Sequence, residues 1–211
     1  MKKTLFTFMA LAMAFAVTSC QSEEELPQEP TNDLMVTTGT AKANIGENEV
    51  DVNWVQLWAG GPKFAEKNVG ATSATDQGTT MSFGEATKAG AEYVWGANWC
   101  TPSKEDMEHL MTAAKGKTDD KVKCEYTQEG SQYGFKFTGK DTGYTDNSVF
   151  FPAQNGNSYY GDAYYWSATA DGSKAWDMFL YYFYGDWFSD WYSDGQDAQG
   201  NCRPDRPSTN R

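Results

Sequence analysis

Residues 159–192 read YYGDAYYWSATADGSKAWDMFLYYFYGDWFSDWY, and 15 of those 34 positions are aromatic. The stretch from Ala175 to Tyr184 predicts a long strand, because aromatic side chains suit a pleated, half-buried surface. Trp187 to Tyr192 is its expected hairpin partner. Within it, Asp-Trp-Phe-Ser (186–189) is followed by Asp-Trp-Tyr-Ser (190–193) and then Asp194. Side chains alternate along a strand, so a period of four returns each residue type to one face. Trp187 and Trp191 then share one face, and Phe188 and Tyr192 share the other.

Outward from this segment the β signal continues. Val122, Cys124 and Tyr126 alternate with polar residues, as do Tyr133, Phe135 and Phe137. Ser148 to Phe151 is a short apolar strand stopped by Pro152. Val50, Val52, Trp54 and Leu57 open the domain, and Gly60-Gly61-Pro62 marks a turn. One segment reads clearly as a helix. Ser103 and Asp106 are spaced as a capping box, Met107, Leu110, Met111 and Ala114 form one apolar stripe, and Gly116 is a natural stop. A second helix is expected over Asp76 to Ala89. The fold class is therefore α+β, with short antiparallel strands, one or two helices and long polar loops.

The N-terminal region has a different character. Lys2 and Lys3 precede an apolar run from Leu5 to Val17, too short for a membrane span but suited to a signal peptide. Val17-Thr18-Ser19-Cys20 resembles a bacterial lipobox, which implies lipidation of Cys20 and a signal peptide over residues 1–19. A run of Gln, Ser, Glu and Pro follows and reads as an acidic tether over residues 20–48. Its acidic start resembles that of surface lipoproteins of Bacteroidetes. The expected location is the outer membrane, lipid-anchored, at the cell surface or else facing the periplasm.

The whole chain carries a net charge of −12. Removing Lys2 and Lys3 leaves 15 basic against 29 acidic residues, or −14. Such a surface repels nucleic-acid phosphates, so DNA and RNA are excluded as partners. Glycans, cations and surface proteins remain compatible.

Several segments occur together in an order that resembles the Fibrobacter succinogenes major paralogous domain. They are Phe64-Ala65, Asn68-Val69-Gly70-Ala71, Trp95 through Ser103 with its helix, Tyr133 through Thr138, Val149 through Ala153, Tyr165 through Thr169, and Arg203-Pro204. That family is abundant in lipoproteins of gut Bacteroidetes and is similar to the C-type-lectin-like fold. The resemblance implies such a domain over residues 49–207, with a short tail at 208–211. Departures fall at Cys100, where the family usually carries Arg, at Glu66-Lys67, and at Cys202, where an aliphatic residue is usual. Cys100, Cys124 and Cys202 allow at most one internal bridge once Cys20 is lipidated. The two unusual positions point to Cys100 with Cys202.

Catalytic constellations are scarce. His109 is the only histidine and lies off the helix stripe, so it reads as a solvent-facing residue. No phosphate-binding Gly loop of the GxxxxGK type is present. Enzymes of the lectin-like fold that make formylglycine use two cysteines near the C-terminus, where this chain has Cys202 alone. The residues expected to bind a ligand are Trp187, Trp191 and Tyr192, with Asp190 and Asp194 as polar partners. Flat sugar faces stack on such rings while carboxylates accept hydroxyls. A non-catalytic, glycan-binding domain is the leading expectation, beside a structural or protein-interaction module. Trp166, Trp176 and Phe179 are expected to be core. Asp186, Asp190, Asp194 and Asp197, with Gln196 and Asn201, offer oxygens for Ca²⁺, but their spacing is not that of an EF-hand. A solvated acidic loop is the default, and no metal or cofactor is assigned.

Overall fold

The computed structural model describes residues 35–87, 95–96 and 99–206. The expected signal peptide, Cys20 and the first part of the tether lie outside the described residues, as does the tail. Among the described residues no helix is long and apolar enough to cross a membrane.

Among the described residues twelve strands form three antiparallel sheets. One orders as β1 (Thr38–Ile45), β2 (Asn48–Gln56), β3 (Lys63–Ala65) and β12 (Asp205–Arg206). A second is the meander of β4 (Val122–Glu129), β5 (Gln132–Gly139) and β6 (Ser148–Pro152). The third contains β7 (Asn155–Asn157), β8 (Tyr160–Asp171), β9 (Lys174–Phe183), β10 (Asp186–Trp187) and β11 (Asp190–Gly195). In that sheet β9 pairs with β8 along one edge and with β10 and then β11 along the other. The expected antiparallel strands and short helices are present.

The first strand corrects the expected tether. Residues 38–45 pair with β2 throughout, from Thr38 opposite Val55 to Ile45 opposite Asn48. Their polar content misleads because β1 is an edge strand with one face toward a core. Ala43 on that face is buried.

The helix after Pro102 is as read, with a tighter start. Ser103 N donates to Asp106 Oδ2 at 2.8 Å, and Asp106 N donates to Ser103 Oγ at 3.2 Å. A 3₁₀ turn (Glu105–Met107) leads into α2 (Glu108–Ala114), which buries Met107, Leu110, Met111 and Ala114. Gly116 ends it with a φ of +67°, and its N–H bonds Ala113 O. The other expected helix shrinks to α1 (Phe83–Ala86), capped reciprocally by Ser82 and Glu85. Asp76 does not start a helix. Its carboxylate accepts from Thr72 N, Thr72 Oγ1 and Gly78 N, which closes a loop and holds its pKa below the usual value.

The largest core lies between α2 and all three sheets, and includes Leu57, Phe64, Met107, Leu110, Phe135, Phe151, Tyr165 and Leu180. Arg203 is buried through it, with Nε to Asn68 Oδ1 at 2.7 Å, Nη1 to Ala65 O at 3.0 Å and Nη2 to Phe150 O at 2.6 Å. Its guanidinium carbon sits 4.7 Å from the centre of the Phe151 ring. A planar fork of five donors is what such divergent acceptors require.

The Cys100–Cys202 bridge is not formed. Cys100 Sγ donates to Asp205 Oδ1 at 3.3 Å, while buried Cys202 Sγ lies 3.2 Å from Thr101 Oγ1. Neighbouring residues in extended chain point to opposite sides, so Thr101 rather than Cys100 faces Cys202. Cys124 stands apart on β4.

Candidate functional site

The register of β8, β9 and β11 sorts the aromatic segment into two faces. Ala163, Tyr165, Met178, Leu180, Tyr182 and Trp191 point inward, and Trp187 on β10 joins them through its pairing with Tyr182. Tyr160, Asp162 and Tyr164 on β8, Asp177, Phe179, Tyr181 and Phe183 on β9, and Tyr192 and Asp194 on β11 share the outer face.

The alternation expected for the tandem Asp-Trp repeats is therefore present, with the opposite face exposed. Trp187 packs against Phe135, Tyr182 and the end of α2 at Gly116. Trp191 leans on the main core, and its Nε1 donates to Glu108 Oε2. These indoles are half-buried supports and not the platform the sequence reading made of them. The reason is that α2 supplies the apolar partner on their side. Lys104 Nζ lies 3.6 Å from the Trp176 ring centre and 5.2 Å from that of Trp191, a cation held between two indoles. Trp166 and Phe179 are buried as expected, whereas Trp176 is half-buried.

Outward stand Phe183, Phe188 and Tyr192, with 42%, 53% and 43% of their surface exposed. They belong to a continuous array of rings. Phe179 stacks on Tyr192 at 4.9 Å and on Tyr181 at 5.5 Å, and lies 4.6 Å from Tyr164. Tyr181 meets Tyr160 and Phe188 edge-on, each at 5.7 Å. Phe179, Tyr181 and Phe183 recur every second residue, so the row extends about 13 Å along β9. Ser189 makes the outward position of Phe188 possible. Its hydroxyl accepts from Tyr181 N at 2.9 Å, replacing a ladder bond where β10 passes into β11.

The β9–β10 turn carries the array to its tip. Tyr184 has a φ of +49° and Gly185 one of +97°, the left-handed pair that a tight two-residue hairpin demands. Tyr184 stacks on Tyr159 at 4.9 Å, and its N–H bonds Tyr159 O at 2.7 Å. A non-glycine residue in that region costs about 1 kcal/mol. The stacked ring offsets it.

Carboxylates punctuate the rings. Asp162 accepts from Asn155 Nδ2 and from the Tyr160 hydroxyl, which pushes the Tyr160 pKa up to about 12. Asp177 is 2% exposed, and neither of its oxygens has a hydrogen-bond partner among the described residues. Burial first, and the charge of Asp194 second, push its pKa up to about 7. Burial chiefly raises Tyr164 as well, with further contributions from Asp162, Asp177 and Asp194. Asp190 faces a different partner. Lys115 Nζ stands 2.6 Å from its Oδ1 and holds its pKa below the usual range. Of the residues expected to bind ligand, Tyr192 and Asp194 lie on the outer face, Asp190 stands opposite Phe179 at the start of the same strand but is paired with Lys115, and Trp187 and Trp191 pack toward α2 and its C-terminal end. Tyr164, Tyr181, Phe183 and Asp177 belong to the face and were missed. Their alternation is visible in the sequence, but not which side the core covers.

The oxygens considered for calcium do not converge. Asn201 is buried and bonded to Gln154 and Gln77, and Gln196 donates to Lys174 O. Among the described residues the group of metal-type ligands that does converge is His109, Asp119 and Asp120. Its needs are largely met within the chain. Asp119 Oδ2 lies 2.9 Å from His109 Nδ1, and Oδ1 accepts from Lys121 N and Val122 N. The His109 ring also packs edge-on against Trp58, so it is less solvent-directed than expected. A groove of about 430 Å³ lies elsewhere, beside β1 and β2, with Thr40, Asn53, Glu66 and Asp146 in its walls. It has none of the exposed aromatic surface, and we place the candidate site on the sheet face.

No protein-family model, no curated protein and no solved structure matches the chain.

Proposed function

We propose that the domain binds glycans without catalysis, on the outer face of the sheet formed by β8, β9 and β11. The observation that carries this reading is the cluster of exposed Phe183, Phe188 and Tyr192 around half-buried Tyr181 and buried Phe179, beside the carboxylates Asp162 and Asp194. Rings present flat apolar area at low entropic cost, and carboxylates beside them accept hydroxyl hydrogens. The sheet offers a platform, open to a chain that passes across it.

The wider setting belongs to the same proposal. A signal peptide over residues 1–19 and lipidation at Cys20 make the protein an envelope lipoprotein, held at the outer membrane by its acyl chains. The order of its motifs supports a C-type-lectin-like domain. Lipidation is tested by growing cells with labelled palmitate, where Cys20→Ala abolishes incorporation.

Binding is tested on a glycan array with the full chain. Phe188→Ala/Tyr192→Ala abolishes saturable binding at little cost to stability, while Trp187→Ala/Trp191→Ala lowers stability first. Silence of the native chain on every glycan would reject this reading in favour of a protein-interaction or structural module.

A further inference from the structure

We propose that the glycan bound on this face carries a protonated primary amine, an unacetylated hexosamine, seated between Asp177 and Asp194 beside the Tyr192 ring. The inference rests on the glycan reading above and adds the charge of the ligand to it.

Asp177 is the unusual residue. Strand register sets it opposite Tyr192 on β11 and opposite Trp166 on β8, with Phe179 next along its own face and Asp194 on the diagonal. Both oxygens are buried and without a hydrogen-bond partner among the described residues. Folded chains rarely leave a carboxyl in that condition, since its desolvation is then uncompensated. Three other acids of the sheet have partners: Asp190 has Lys115, Asp162 has Asn155 and Tyr160, and Asp171 has Ser193. Among the described residues no lysine, arginine or histidine forms an ion pair with Asp177 or Asp194.

The surroundings select the missing partner. An ammonium brings three donors and a full positive charge, which suits two carboxyl groups on the same face. The faces of Tyr164 and Tyr192 attract a cation as well. A metal ion suits the place less, because among the described residues Asp177 and Asp194 do not belong to a convergent set of three acidic, histidine or cysteine ligands. Anionic sugars are opposed by a chain of net charge −12. Tyr192 is packed by Phe179 on one side and is 43% exposed, so its swing outward is the route by which an amine reaches Asp177.

The test is calorimetric titration of the full chain with three tetrasaccharides, a glucosamine tetramer, its N-acetylated counterpart and a glucose tetramer. The glucosamine tetramer is expected to bind at least about tenfold more tightly than the other two. Asp177→Asn, which keeps the shape and removes the charge, is expected to bring the three within about threefold of one another. Asp194→Asn reduces the preference in part, and exposed, distant Asp120→Asn leaves it intact. A thermal melt of each variant confirms that it is folded. Equal or tighter binding of the acetylated tetramer would overturn the inference and leave the glycan reading standing. So would a preference for the amine that survives both Asp177→Asn and Asp194→Asn, which marks diffuse attraction. Failure of all three tetramers beside other glycans bound on the array also overturns the amine, and failure of every glycan removes the parent reading.

Discussion

Trp191 Nε1 donates to Glu108 Oε2 at 3.0 Å, joining β11 to the first turn of α2 across 83 residues of chain. With Lys104 over its ring, the indole is fixed on both its polar and its π side. Replacing it disturbs the contact between helix and sheet, and the outer face is affected only through that loss. Trp191→Ala and Trp187→Ala are each expected to cost about 2–4 kcal/mol, the range for a large partly buried aromatic. Phe188→Ala, outside the core, is expected to cost less than about 1 kcal/mol. Urea midpoints of the three variants check the ordering, and equal costs would place the exposed face wrongly.

Arg203 offers a sharper case. Its three nitrogens serve Asn68, Ala65 O and Phe150 O, which no lysine reaches together. Arg203→Lys keeps the charge and is nevertheless expected to lose about 3 kcal/mol or more, because buried acceptors are left unsatisfied. Chemical denaturation reads the loss, and a near-native midpoint would show the network to be replaceable.

Two buried carboxyls set a pH dependence. Burial pushes Asp177 and Asp205 up to about 7 from a usual 3.8. The folded chain then holds protons that the unfolded chain has released between about pH 4 and pH 7. Their contribution to stability is full below about pH 4, falls as pH rises through 7, and is level above it. Asp177→Asn is expected to remove its share of that fall, on the order of 2–4 kcal/mol between about pH 4 and pH 8. Unfolding at both ends of the range checks the sign; a native chain whose stability rises across it would refute the assignment.

The thiols have distinct reactivities. Cys202 is fully buried and pushed up to about 12, chiefly by burial, so it has almost no thiolate at neutral pH. Half-buried Cys100 is expected to be alkylated in the native chain, and Cys202 only after denaturation. Peptide mapping after iodoacetamide checks this, and a Cys100–Cys202 cross-link in the unreduced digest would contradict the geometry.

How much of this was legible depends on the range of the interactions involved. The strands of residues 122–151 and 175–184 and the capped helix after Pro102 follow from alternation, stripe and cap, which act over a few residues. The helix expected over 76–89 failed at Asp76, whose carboxylate found closer amides in its own loop. Strand β1 was read as tether because half of an edge strand is meant for water.

Local alternation by itself determined that Trp187 and Trp191 point one way and Phe188 and Tyr192 the other. It carries no information on which side is covered. That was decided by α2 packing beneath the sheet, and by pairings between residues far apart in the chain, which set Asp177 among rings contributed by β8 and β11. Alternation is a property of one strand, whereas burial is a property of what folds against it.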